Sequence, residues 1–543
     1  MVFARRSTTL LAAIIASCAM VLSLTACTSD NKTVVDGQTT VTSNSAGGVA
    51  VFTPSDGITL NQQVPLNKWA KLVPDLTKAL VDAGFKKGDI DHTTSDSLDK
   101  QSRAIQDFVV DHLSNNTTDD SGIAIAPDNM TLLVAPVVEA DASTRQYGDY
   151  VSQNLSTNDV TDEGATSDGE SSEDDSSKDD SSNTESDSTA SDEQAQAVDR
   201  LVSSLKLAKE SGMHVVLLGN SIEGYKPDAF VKFSDAQTIG KLQAEKMVSK
   251  LKLDKASKDN PKYIEVLLPY TAVDEKGNAN DSTFAQEAFR GIWQVLGSYY
   301  QKGVVESPSG TLDGKSTEND WQAVAYDAAK EGSTAKVLDK RLAKTDGQST
   351  LTRIDGIITM NDYIASEVVK ELDDLGYTGS AADINPQITI SGIVGNITGK
   401  KDLSRDAVPD PIKSPENDNA NDSSSSDDDA DKDTSASDKD RDSQWPLVTG
   451  YGAYVSNIPS IVNGKQWMTG MEDRQTIATD IAQACAKLNK DEALNSMPSI
   501  RNSEVGGVKK IPTINEPLLA VSAGNLKSAL IDPGYISLAD AGL

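Results

Sequence analysis

Histidine is scarce: three residues in 543, at positions 92, 112 and 214. They stand too far apart for metal-ligand spacing, so no metal centre is expected, and His214 falls inside an apolar strand pattern as a structural residue. No Ser, His and Asp order and no close carboxylate pair stands out either. That argues against a hydrolase and leaves no candidate catalytic residue. Basic residues are outnumbered, 50 Lys and Arg against 82 Asp and Glu. Nucleic-acid binding needs basic surface, so it is excluded. No cofactor is expected.

The chain has little sign of a membrane span. Its N-terminal apolar run, Leu10 to Leu24, is short for one. With Arg5 and Arg6 before it and Leu24-Thr25-Ala26-Cys27 after it, it has the charged, apolar and small-residue regions of a secretory signal. The stretch resembles a bacterial lipoprotein signal with its lipobox. That resemblance implies cleavage of residues 1–26, a diacylglycerol on Cys27, and a mature chain lipid-anchored at the extracytoplasmic face of the bacterial cell membrane. Cys18 then leaves with the signal and only Cys485 remains a thiol, which rules out a disulfide within one mature chain. Cys485 lies in an amphipathic helix pattern and reads as a small core residue.

The net charge of −32 is concentrated in two tracts. Residues 159–193 carry −13 and residues 416–442 carry −8, which leaves −11 for the remainder. Runs such as Ser171-Ser172-Glu173-Asp174-Asp175 bury too little surface to offset chain entropy. Disordered acidic insertions are expected at about 154–195 and 414–443. Residues 27–48 read as a polar tether. What remains, over 400 residues, suffices for two lobes with separate cores.

Through that remainder, strand patterns alternate with helical ones. Residues 49–53 and 122–126 read as strands, and a helix follows Met130, interrupted by the first tract and ending at Leu205. Residues 69–80 and 98–113 read as helices, with Pro74 kinking the first or marking its true start. Further strands are expected at 214–218, 263–268 and 387–392, and helices at 236–251, 284–296 and 321–330. The pivotal stretch is residues 354–376. An apolar run ends at Asn361-Asp362, a helical stripe of Val368, Val369, Leu372 and Leu375 follows, and Gly376 stops it. Asn and Asp there serve equally as helix caps or as ligand contacts, because such turns are where parallel α/β sheets bind ligands. The βα alternation implies parallel sheets with helices on both faces.

This succession resembles the type I periplasmic binding-protein family, in particular the ribose- and xylose-type sugar-binding proteins of ABC importers. The residues that carry the resemblance are 235–244, Asp355-Gly356-Ile357 through Asn361-Asp362, Ser391-Gly392, and a tail with Pro512, Pro517, Asn525 and Gly534-Tyr535. It implies an α/β, two-lobed fold: lobe one at 49–232, lobe two at 233–394, a return to lobe one at 395–500, and a segment at 501–543 crossing back toward lobe two. As ligand contacts it suggests Trp69, Asn220, Asp235, Asn280, Asp281, Trp321, Asn361, Asp362 and Asn396. Amides and carboxylates satisfy vicinal hydroxyls, and an aromatic ring covers the apolar sugar face. The sequence departs from the family at Gly219-Asn220, Ala236 and Val394, where Asp-Arg, Asn and Asp are usual. The implied function is a solute receptor that delivers a small polar solute, a sugar or sugar derivative, to an ABC permease. The departures motivate an alternative, a receptor-like sensing or interaction lipoprotein without tight sugar binding.

Overall fold

The computed structural model describes residues 34–35, 38–39, 46–55, 65–115, 125–138, 144–156, 185–273, 280–328, 330–343, 351–381 and 445–543. Val34–Val35 and Gln38–Thr39 pair as a short antiparallel ribbon in a unit spanning Met1–Asn44. Ser45–Leu543 is a separate compact unit.

The strands of that unit's two large sheets are β1 (Gly48–Pro54), β2 (Ile90–Ser95), β3 (Met130–Val134), β4 (His214–Leu218), β5 (Ala229–Lys232), β6 (Lys262–Val266) and β7 (Val305–Glu306). They continue with β8 (Gly356–Ile358), β9 (Leu447–Tyr451), β10 (Met468–Met471), β11 (Ile500–Val505), β12 (Val508–Asn515) and β13 (Leu519–Ser522). The main helices are α1 (Trp69–Asp82), α2 (Leu98–Asn115), α3 (Glu185–Glu210) and α4 (Ala236–Leu251). After them come α5 (Thr283–Gln301), α6 (Ser333–Arg341), α7 (Asp362–Asp374) and α8 (Arg474–Leu488).

Lobe one is a seven-stranded sheet in the order β11-β12-β5-β4-β3-β1-β2, parallel except for β11. Lobe two is six-stranded, β7-β6-β8-β9-β10-β13, parallel except for β13. Inner strands such as β3 are buried along their whole length, as a sheet covered on both faces requires. In lobe one, α1 and α8 pack Leu72, Leu76, Ile477 and Ile481 on one face, while α2 and α3 pack Ile105, Val109, Leu201 and Leu205 on the other. Lobe two repeats the plan, with α4 and α5 on one face and α6 and α7 on the other.

The chain crosses between lobes three times, at Lys232 to Ala236, Met471 to Arg474 and Asn515 to Leu519. The second crossing corrects the boundary expected at 394. β9 and β10 continue lobe two's sheet beside β8, so residues 447–471 belong to that lobe and only 474–515 return to lobe one.

Other expectations also change. The first lobe's third strand is Met130–Val134 and not a helix start, because Pro127–Asn129 forms a turn that delivers the apolar run into the sheet. Residues 154–155 form a short strand and α3 begins at Glu185, both inside the range expected for the first acidic insertion, and residues 157–184 lie outside the described residues. Helix α1 begins at Trp69 and carries Pro74 inside it. The helix expected at 321–330 is one turn, Trp321–Val324, followed by a short strand. Cys485 is buried, as read. The strand expected at 387–392, the second acidic tract, the signal and Cys27 lie outside the described residues. Among the described residues no helix is long and apolar enough to cross a membrane.

Helices α4 and α5 touch backbone to backbone through two glycines. A Cβ on Gly291 would sit 2.0 Å from the Gln237 carbonyl oxygen, and one on Gly240 would sit 2.2 Å from that of Ala288. Gly291→Ala is therefore expected to lower stability by about 1–3 kcal/mol through overpacking, despite the better helix propensity of alanine. Urea unfolding would show it, and an unchanged midpoint would mean that the helices can separate freely.

Candidate functional site

The carboxyl ends of β3 in lobe one and β8 in lobe two lead into residues 144–147 and Asn361, which meet between the lobes, at the end of a parallel sheet where such folds bind ligands. On lobe two, β8 is followed by Met360, a non-glycine residue at φ +68°, where the chain turns into α7. Asn361 caps that helix: its Oδ1 accepts from the Ile364 N–H at 2.9 Å. Its Nδ2 donates across to lobe one, to Gln146 Oε1 at 3.1 Å. The two readings of this asparagine thus coexist in one side chain.

Gln146 comes from lobe one. It belongs to the segment after β3, where Thr144–Tyr147 form a short 3-10 turn. Its carbonyl oxygen accepts from the Tyr454 hydroxyl at 2.7 Å. Beside it, Tyr147 lies with its ring centroid 4.7 Å from Phe284 and 6.3 Å from Tyr451, both on lobe two. Lobe one holds the same segment firmly. Asp149 pairs with Lys68 Nζ at 2.7 Å and accepts from the Trp69 N–H at 3.0 Å, and the Asp149 N–H donates to the Asn67 carbonyl at 2.8 Å.

Asp362 keeps its hydrogen bonds within lobe two. It is fully buried, with Oδ1 accepting from Gln466 Nε2 at 2.7 Å and Oδ2 accepting from the Tyr454 N–H at 2.9 Å and the Thr469 hydroxyl at 2.8 Å. Burial pushes its pKa up to about 6, against the lowering effect of these bonds. Among the other expected contacts, Trp69 is core, packed edge-on to Tyr150 and Phe233 at 5.0 and 5.6 Å. Asn220 is engaged at both ends, accepting from the Gln153 N–H and donating to the Pro136 carbonyl, each at 2.9 Å. Asp235 caps α4 by accepting from the Thr238 N–H at 2.7 Å and pairs with Lys232 at 2.9 Å. Burial raises its pKa, but those partners outweigh burial and hold it below the usual carboxylate range.

Asn280 clamps its own loop by donating to the Thr271 carbonyl at 2.9 Å. Asp281 accepts from the Thr283 N–H at 2.9 Å. Trp321 stands edge-on to Tyr270 at 5.2 Å, and Asn396 lies outside the described residues. The structure therefore brings together Asn361, Gln146, Tyr147, Tyr451, Tyr454 and Phe284. Of these only Asn361 was expected. The run Gly450-Tyr451-Gly452-Ala453-Tyr454, an aromatic and glycine turn after an apolar pair, was the available signal for two of the rest.

A second polar cluster joins two of the crossings. Glu472, at the second, accepts from the Ser234 N–H at the first at 2.6 Å and from the Tyr451 hydroxyl at 3.4 Å. Burial, with Asp235 adding a smaller repulsion, pushes its pKa up to about 7 against the lowering effect of those bonds.

Two doubly wound parallel lobes joined by three crossings are the fold of the type I periplasmic binding proteins. Solved structures of similar plan include an ABC transporter solute-binding protein from Clostridium phytofermentans with bound β-D-glucose, at 17% identity and TM-score 0.44, covering 91% of this chain and 99% of that one. Another is a carbohydrate transporter solute-binding protein from Chloroflexus aurantiacus in complex with D-glucose, at 18% identity and TM-score 0.42, covering 92% and 98%. A periplasmic ribose ABC transporter protein from Conexibacter woesei gives 14% and 0.40, covering 90% and 96%. At these identities and scores the fold assignment rests on the sheet orders and crossings alone. No protein-family model matches the chain, and no curated protein matches it.

Proposed function

We propose that the protein is an extracytoplasmic solute receptor, tethered through a lipidated Cys27, that captures a small polar solute of the sugar class for an ABC permease. The observation that carries this reading is that Asn361 Nδ2 and the Tyr454 hydroxyl of lobe two turn toward lobe one between the lobes, beside the rings of Tyr451 and Phe284. Polar groups that bond hydroxyls, next to rings that cover an apolar C–H face, form a sugar-type recognition surface. Two lobes on a three-stranded hinge supply the closure that excludes water.

The test is a thermal-shift screen of pentoses, hexoses, polyols and nucleosides. A ligand at 100 times its Kd is expected to stabilise the chain by about 2.7 kcal/mol. Asn361→Asp keeps the capping oxygen and removes the amide donor, so it is expected to abolish the shift without unfolding the chain. A panel of cooperative melts with no shift would sink the sugar reading. It would favour the second, a receptor-like sensing or interaction lipoprotein, which is supported by Gln146 and Tyr147 filling the space a solute would need.

A further inference from the structure

Segment 144–150 contributes to both lobes in chemically different ways. On lobe one it is anchored by charge and backbone: Asp149 meets Lys68 and the Trp69 N–H, and the Tyr150 hydroxyl donates to the Lys68 carbonyl at 2.5 Å. The approach is close enough that a Cβ on Gly148, at φ +92°, would lie 2.5 Å from the Asn67 carbonyl oxygen. Toward lobe two it presents an amide and a ring. Gln146 accepts from Asn361 Nδ2 with its side-chain oxygen and from the Tyr454 hydroxyl with its carbonyl, while Tyr147 is buried against Phe284. Amide oxygens on the two polar groups and an apolar face on the rings are what a sugar-sized solute would offer at the same place.

We propose that residues 144–150 are an intramolecular latch: Gln146 and Tyr147 occupy lobe two's half of the cleft, hold the lobes together without solute, and must withdraw before a solute enters. The latching half stands on the contacts alone, and the competition half rests on the solute-receptor reading. Asp149 and Tyr150 remain fixed to lobe one, so withdrawal moves the tip and not the base. A latch of this kind trades affinity for selectivity. Only a solute that replaces both hydrogen bonds and the ring contact can displace it.

The experiment compares the full-length chain with its Gln146→Ala/Tyr147→Ala double variant by hydrogen exchange and by the same sugar panel. The informative amide is Leu66, on the segment leading into lobe one's α1, whose side chain joins the apolar cluster of Ala453, Ile458 and Met471 in lobe two and whose N–H donates to the Gly452 carbonyl of that lobe at 2.9 Å. A latch predicts about tenfold faster exchange at Leu66 in the variant, with the core amides of β3 and β4 unchanged. Unchanged exchange at Leu66 overturns it. Exchange that rises equally in β3 and β4 means general destabilisation and overturns it too, and Asp149→Asn, which loosens the base alone, provides a milder variant for that comparison. With D-glucose, D-ribose and D-xylose as probes, larger thermal shifts in the double variant than in the parent support competition, and equal shifts overturn it. Faster exchange at Leu66 with no shift in either chain leaves the latch standing and counts against the sugar reading instead.

Discussion

Replacing Asp362 with alanine is expected to remove about 3–5 kcal/mol of stability, the loss that follows when one member of a buried charged network is deleted. Its two oxygens take the Gln466 amide, the Tyr454 N–H and the Thr469 hydroxyl, at 2.7, 2.9 and 2.8 Å. Its carbonyl accepts from Asn457 Nδ2 at 2.7 Å, and the same amide donates to Gln466 Oε1 at 2.8 Å. Alanine takes the acceptor from the Tyr454 N–H and leaves the Gln466 amide and the Thr469 hydroxyl only the Met468 and Gly470 carbonyls, at 3.2 and 3.3 Å. Those remaining bonds, and the removal of a desolvated carboxylate, recover part of the cost. Asp362→Asn keeps the shape but turns an NH₂ toward at least one donor, so an intermediate loss is expected. The turn at 452–457 is held by this network, so the Tyr454 hydroxyl that reaches Gln146 should loosen as well. Urea unfolding at pH 7.5 measures the effect. A loss under about 1 kcal/mol for the alanine variant would mean that water replaces the carboxylate freely.

How far the sequence reveals this architecture depends on where each strand lies. His214–Leu218 and Lys262–Val266 are inner strands with apolar runs, and their type and place were legible. Ile90–Ser95 was not, because it is the sheet edge: four of its six residues are exposed, and Asp-His-Thr-Thr carries no apolar signal. Met130–Val134 was misread because five apolar and Thr residues fit a helix turn or a buried strand equally well. Leu447–Tyr451 and Met468–Met471 follow the second acidic tract and are diluted by Thr and Gly, so the second crossing was set too early. At the site, Asn361 was legible because a strand end and a helix start must meet there. Its partner Gln146 lies 215 residues away in a loop without periodicity, and such a pairing is written in no local pattern.

The hinge should be sensitive to pH through Glu472. Its carboxyl is fully buried between two crossings, and burial raises its pKa from 4.5 to about 7. The native state therefore holds a proton that the unfolded chain releases between about pH 4.5 and 7, so stability falls as pH rises through that window. The full shift corresponds to about 3 kcal/mol. Asp362, raised from 3.8 to about 6, adds a loss of the same sign at lower pH. His92 and His112 act in the opposite sense, since burial lowers both and their contribution grows as pH rises. The raw stability profile mixes these terms. The difference between the parent and Glu472→Gln removes all but one of them. Glutamine matches the protonated acid in shape, and its oxygen can still accept from the Ser234 N–H. The two chains are expected to be about equally stable at pH 5, with the glutamine variant more stable by about 1–3 kcal/mol at pH 7.5. Urea unfolding at pH 5.0, 6.0 and 7.5 decides it, and a difference that stays constant across the three would mean that Glu472 ionises as it does in water. Because Ser234 and Glu472 sit on different crossings, the proton also bears on lobe movement: the ionised carboxylate holds the Ser234 N–H more strongly, so the two strands should be tied most tightly at the pH where Glu472 itself contributes least to the stability of the fold.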